Sequence, residues 1–131
     1  MADGESVPRL VLISGATGVG KTTLAKAVAH EMGFARIASS DTIREVMRAT
    51  AGSSDPALNR SSYGRGEVGD AGTDWEDAAR AVEPGIDAVV ERARQQGVDL
   101  VLEGVHVIPS RRLMSAWETA GGAAVGLVVK I

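Results

Sequence analysis

Residues 9–33 read RLVLISGATGVGKTTLAKAVAHEMG, and this stretch decides the fold. Arg9 to Ser14 is a continuous apolar, β-branched run. A strand buried on both faces of a parallel sheet has that composition. From Lys21 the period changes. Leu24, Ala25, Val28, Ala29 and Met32 recur at helical spacing, and Gly33 stands where a helix C-cap belongs. The stretch is therefore expected to form a strand, a glycine turn and a helix.

Working outward, the same alternation of elements continues. Ala35 to Ser39 is a weaker strand candidate, and Asp41 can N-cap a helix running to about Ala49. Ala51 to Gly72 is rich in Gly, Ser, Asp and Arg without an apolar period. A segment of that length inside a compact domain points to an insertion that contacts substrate. Thr73 and Glu76 have capping-box spacing and are expected to open a helix that continues to about Gln96. Its apolar face is Ala78, Val82, Ile86, Val89 and Ala93, and Pro84 is expected to kink it. Asp99 to Glu103 reads as a third strand, Ser110 to Ala120 as a short helix, and Ala123 to Ile131 as a fourth strand. Trp75 and Trp117 fall in helices and are expected to pack. The order predicts an α/β layered fold with a parallel sheet of about four strands. Residues 1–8 form a polar, flexible tail ahead of one domain over 9–131. Because the chain stops on an apolar strand, that domain is expected to be incomplete at its C-terminus.

Composition narrows the partners. The 131 residues carry a net charge of −3, with 24% charged and 3% aromatic residues and no cysteine. A basic surface for nucleic acid or anionic membrane is absent, as are stacking platforms for single-stranded bases. Thiolate metal sites and cysteine nucleophiles are excluded. The first residues lack the pattern of a signal peptide, and no apolar run approaches the roughly 20 residues that span a bilayer. A soluble, cytoplasmic domain is expected.

The chemistry is concentrated in Gly15-Ala16-Thr17-Gly18-Val19-Gly20-Lys21-Thr22. This matches G-x-x-x-x-G-K-[ST], the Walker A pattern. The glycines permit a tight turn whose N–H groups converge on an anion, and the following helix, from Lys21 through Thr23, aims its positive end there. Lys21 adds a charge for the β- and γ-phosphates, and the Thr22 hydroxyl is placed for Mg²⁺. The expected ligand is a nucleoside triphosphate. No aspartate has glycine three residues on, and the only asparagine, Asn59, is followed by Arg60. GTPase switch and base-reading motifs are thus missing, and so is an L-S-G-G-Q transporter signature. A small-molecule kinase needs a cradle, a carboxylate and basic residues for the acceptor.

Those candidates follow the strands. Asp41 lies beyond the second strand, where it can take the proton of an attacking hydroxyl, or serve as an N-cap. Arg44, one turn along, suits an acceptor bearing its own phosphate or carboxylate. Glu103 ends the third strand, where an acid meets Mg²⁺ or orients substrate. An unpaired carboxylate closing a buried apolar strand has no structural use. His106 follows in the same loop, and Arg60, Ser61, Ser62, Tyr63 and Arg65 can reach an anionic acceptor.

With SSDTIREVMR (Ser39 to Arg48), NRSSY (Asn59 to Tyr63) and LEGVHVIPS (Leu102 to Ser110) added to the cradle, the chain resembles the 2-phosphoglycerate kinase family over roughly Leu10 to Ile131. The resemblance implies a three-layer P-loop NTPase fold, present here without its C-terminal part. It further implies transfer of the ATP γ-phosphate to the 3-hydroxyl of 2-phosphoglycerate. Lys21, Asp41, Arg44 and Glu103 would be catalytic, and Gly15 to Thr23 would bind ATP. Asp41, Arg44, Tyr63 and His106 would meet the acceptor, and Thr22 and Glu103 would hold Mg²⁺. The looser D-x-x-R arrangement also resembles zeta-toxin and antibiotic phosphotransferase relatives. Kinases of this type normally continue into an Arg-bearing lid, which this chain lacks; a nucleotide-binding module without turnover is the other reading.

Overall fold

A computed structural model describes residues 7–16, 18, 20–51, 71–108 and 111–130, with the backbone alone at 51 and 71–76. The expected Thr17, Val19, Ser110 and the acceptor candidates Arg60 to Arg65, Tyr63 among them, lie outside the described residues, as do residues 1–6 of the tail and the side chain of Trp75.

The elements follow the predicted order: β1 (Arg9–Gly15), α1 (Lys21–Met32), β2 (Ile37–Ser39), α2 (Ser40–Ala51), α3 (Ala71–Gln96), β3 (Leu100–Glu103), α4 (Arg111–Thr119) and β4 (Ala123–Val129). The four strands form one sheet in the order β2-β3-β1-β4, every pair parallel. Register fixes which residues share a face. Leu10 lies opposite Leu100 and Leu12 opposite Leu102, while Val11 pairs with Val101. The sheet is therefore apolar on both sides, as the run at residues 9–14 requires.

Each face has its own core. Val11, Ile13 and Val101 pack against Ala25, Ala29 and Phe34 under α1. On the other face Leu10, Leu12, Leu100 and Leu102 meet Ile43 of α2, Val82, Ile86 and Val90 of α3, and Leu113 and Trp117 of α4. The result is three layers. The Trp117 indole is buried and its Nε1 donates to the Pro8 carbonyl at 2.9 Å, so the packing role expected of it is combined with a polar tie. At the opposite end of the sheet from the candidate site, Arg9 is gripped by Asp99 (2.9 Å) and lies over the Phe34 ring at 4.5 Å.

Three local expectations are corrected. Met32 is 44% exposed and does not join the α1 face. The buried line is Lys21, Ala25 and Ala29, spaced by four, and it runs out at Gly33, whose left-handed backbone caps the helix. Thr73 does not open α3, which already begins at Ala71 and passes unbroken through Pro84. Asp41 is not the cap of α2. The Ser39 hydroxyl accepts from the N–H groups of Asp41 (3.2 Å) and Thr42 (3.5 Å), so Ser39 is the cap and the Asp41 carboxylate is released from that duty.

Gly85, beside the proline, is where α3 approaches α2. A Cβ built there would stand 2.5 Å from Ile43 Cγ2 and 2.7 Å from Met47 Sδ. The branched methyl of Ile43 cannot turn aside as a thioether can. Gly85→Val is therefore expected to destabilise the chain by about 1–3 kcal/mol through overpacking. A denaturant midpoint equal to or above that of the parent would show that the helices separate freely.

Candidate functional site

The topology places a crevice between two loops. The connection leaving β1 carries the chain to β2 on one side, whereas the connection leaving β3 carries it to β4 on the other. Loops after β1 and β3 thus diverge at the carboxyl ends of neighbouring strands, where open α/β sheets bind ligands. The first of these loops is the Walker A segment, and the second begins at Glu103.

Gly20 has φ +90°, a left-handed conformation that an L side chain resists, and from it α1 starts. No side chain caps α1 and no acid lies in its first turn. Its first N–H groups and positive end therefore remain for an anion. Lys21 is only 7% exposed, and its Nζ donates to the Ala16 carbonyl at 2.7 Å. That contact folds the ammonium back across the loop. A neutral carbonyl does not neutralise a buried cation, and a phosphate would.

Across the crevice, Thr22 Oγ1 donates to Glu103 Oε2 at 3.2 Å. Glu103 is 6% exposed although it ends an apolar strand. Two hard oxygen groups meet here beside the cradle, and among the described residues no cluster of three or more His, Cys, Asp or Glu side chains exists that could form an all-protein metal cage. This donor set fits Mg²⁺ as it occurs with nucleotides, held by one or two protein oxygens together with phosphates and water.

The turn after Glu103 is fixed by close approach. Gly104 has φ +152°, and a Cβ there would lie 1.8 Å from the Ser40 hydroxyl oxygen. The Gly104 N–H donates to the Ile13 carbonyl at 3.0 Å. Glycine thus lets the end of β3 sit directly on the first residue of α2. Because Ser39 is the register partner of Glu103, the head of α2 is set beside the metal-binding candidates. Asp41 is exposed there, and Arg44 is partly buried one turn on.

His106 completes the group. It is 3% exposed, and its Nδ1 has no partner among the described residues. Burial pushes the imidazole below the ordinary histidine value of 6.5, the Arg44 charge adds to that push, and Asp41 opposes it. These effects place His106 in electrostatic reach of both α2 residues. The sign of the linkage follows. The unfolded chain takes up a proton near pH 6.5 before the folded chain does, so stability is full above that value and falls as the pH drops below it. His106→Gln is expected to flatten this acid-side loss, read from denaturation midpoints between pH 7 and 5. An unchanged slope would detach the loss from His106.

The structure thus brings Lys21, Thr22 and Glu103 together, and Asp41, Arg44 and His106 around the head of α2. Sequence reading missed Ser39 and the Ser40–Gly104 contact. The serine pair before Asp41 and the glycine after Glu103 were the available signals.

Comparison with known proteins agrees with this geometry. The model of the ATPase family associated with various cellular activities (AAA) matches residues 11–113. A 2-phosphoglycerate kinase of Thermococcus kodakarensis is 41% identical over 107 residues, which is 76% of this chain and 37% of that protein. The 2-phosphoglycerate kinase of Methanothermobacter thermautotrophicus is 36% identical over 112 residues, 78% of this chain and 37% of its own length. The chain therefore spans little more than a third of these relatives. A solved structure from Chloroflexus aurantiacus, described as that of a kinase, superimposes with a TM-score of 0.57 at 20% identity, over 96% of this chain and 61% of that one. This last likeness concerns the fold alone.

Proposed function

From a chain that belongs to the ATPase family associated with various cellular activities and is related in sequence to 2-phosphoglycerate kinases, we propose an ATP-dependent kinase whose acceptor is a small phosphorylated hydroxy acid, 2-phosphoglycerate, and whose product is 2,3-bisphosphoglycerate. The observation that carries this reading is the Thr22–Glu103 contact, which joins the phosphate cradle to the end of β3. A phosphate-binding loop alone serves many purposes. A loop whose threonine meets a buried carboxylate, with Asp41 and Arg44 on the next helix, has the parts of phosphoryl transfer.

Each residue then has a task. The N–H groups at the start of α1 and the Lys21 ammonium hold the β- and γ-phosphates. Thr22 and Glu103 hold Mg²⁺, which supplies neutralising charge to the phosphate oxygens when bound. Asp41 accepts the proton of the acceptor hydroxyl as its oxygen bonds to the γ-phosphorus and the bond to the β–γ bridging oxygen breaks, releasing ADP. Arg44 faces the acceptor's own anionic group.

Phosphorus NMR of the chain with Mg-ATP and 2-phosphoglycerate, run beside a control without acceptor, tests the reading. Resonances of 2,3-bisphosphoglycerate are expected. ADP with free phosphate alone would mean that water, not the acid, is the acceptor, and an unchanged spectrum would reject turnover by this chain.

A further inference from the structure

A cleft of about 70 Å³ opens between α3 and α4. Ala79, Ile86 and Leu113 give it an apolar floor, and His106 borders it. Glu83 and Arg112 stand on its rim. Resting on the kinase reading above, we propose that this cleft seats the acceptor, that its occupant is a compact acid of about three carbons, and that Arg112 is the residue that binds the acid's charged group.

The volume sets the size. By the same measure a single water needs about 10–15 Å³, so the cleft takes roughly five non-hydrogen atoms. That is the frame of a three-carbon acid, its substituents reaching the open rim. A six-carbon sugar acid has too many atoms.

The position follows from His106, which belongs to two environments at once. It lines the cleft, and its imidazole feels the charges of Arg44 and Asp41. A molecule in the cleft therefore lies next to the head of α2, where the phosphoryl acceptor is required. The buried Nδ1 supplies a hydrogen-bonding atom with no partner among the described residues.

Arg112 is fixed in advance. Asp87 takes both arms of its guanidinium, at 3.0 Å from Nη2 and 3.3 Å from Nη1, and Glu83 lies 3.5 Å from Nη2. A guanidinium has five N–H donors, so this fork sets its plane and leaves donors for a ligand. Arg112 is 55% exposed, open enough to receive one. Glu83 offsets part of its charge, which makes the rim unsuited to a polyphosphate and suited to an acid with one or two anionic groups.

Opposite signs at two rim residues test the assignment. The full chain and its variants are titrated calorimetrically with 2-phosphoglycerate, with gluconate as the six-carbon probe, and separately with the Mg²⁺ complex of a non-hydrolysable ATP analogue. Arg112→Gln is expected to weaken 2-phosphoglycerate binding about ten- to a hundredfold. Glu83→Gln, which removes a competing and repelling carboxylate, is expected to tighten it about two- to fivefold. Gluconate should bind at least about tenfold more weakly than 2-phosphoglycerate, and analogue affinity should be unaltered in both variants. If the ion pair is structural only, the two variants shift acid binding in the same direction or not at all. That result overturns the proposal, as does equal binding of gluconate or failure to bind 2-phosphoglycerate. Acid bound through Arg112 by a chain that binds no analogue would keep the cleft and remove the kinase reading.

Discussion

Lys21→Ala is expected to weaken Mg-ATP binding by about 30- to several-thousandfold, the effect of removing one partner of a buried charge pair worth roughly 2–5 kcal/mol. The same change should leave the unliganded chain as stable as the parent or more so. The two effects have opposite signs because the ammonium is badly placed without a ligand. It is 7% exposed, and its described partner is the neutral Ala16 carbonyl. Desolvating a cation against a neutral acceptor is unfavourable, and alanine at the first helical position removes that strain and favours the helix. A lysine kept for packing would behave differently, because its truncation would leave a void and lower stability. Titration with Mg-ATP and denaturant unfolding of the same preparations separate the cases. Unchanged nucleotide affinity would remove the phosphate cradle from the account.

Several links of this argument are visible in the sequence, and the division between visible and hidden has a physical cause. The β1–α1 unit is legible because its signals are local. A run apolar on both faces, a glycine turn and a change to helical period each need only a few consecutive residues. Glu103 is legible for a related reason, since a carboxylate closing an apolar strand has to be explained by a partner, and Thr22 supplies one. The head of α2 is not legible in the same way. Ser39, Ser40 and Asp41 are all competent N-caps by type. Which of them caps depends on where β2 stops, and β2 stops where Ser39 pairs with Glu103. That boundary is tertiary, so local propensity cannot locate it. The same holds for α3, whose capping-box spacing at Thr73 and Glu76 lies inside a helix that starts at Ala71.

Arg112 is hidden for another reason. In the sequence it is a charged residue in a short amphipathic helix, like many that only face water. Its meaning comes from Glu83 and Asp87, which lie one turn apart on α3 and reach it only because α3 and α4 share a face of the sheet. Gly85 belongs to the same case. Next to Pro84 it reads as a point of weakness in a helix, whereas in the fold it is the small residue that lets α2 and α3 close together. Through that contact it helps set where Asp41 and Arg44 stand.

Asp41→Asn is expected to lower phosphoryl transfer to 2-phosphoglycerate by about 10²- to 10⁴-fold, the usual range for loss of a positioned general base. Mg-ATP affinity should change little, because Asp41 stands on α2 and the nucleotide cradle on the β1–α1 loop. Asparagine keeps the size and polarity of the side chain but cannot take up the hydroxyl proton. The outcome turns on the corrected cap. Were Asp41 the cap of α2, asparagine would serve as well, and alanine would destabilise the helix. With Ser39 accepting from the N–H groups of Asp41 and Thr42, stability should instead respond to Ser39→Ala, by about 1 kcal/mol, and ignore both replacements at Asp41. Steady-state transfer rates paired with unfolding midpoints for the three variants therefore divide chemistry from capping. Full turnover by Asp41→Asn would leave the carboxylate a surface group, and the proton of the acceptor hydroxyl would need another destination.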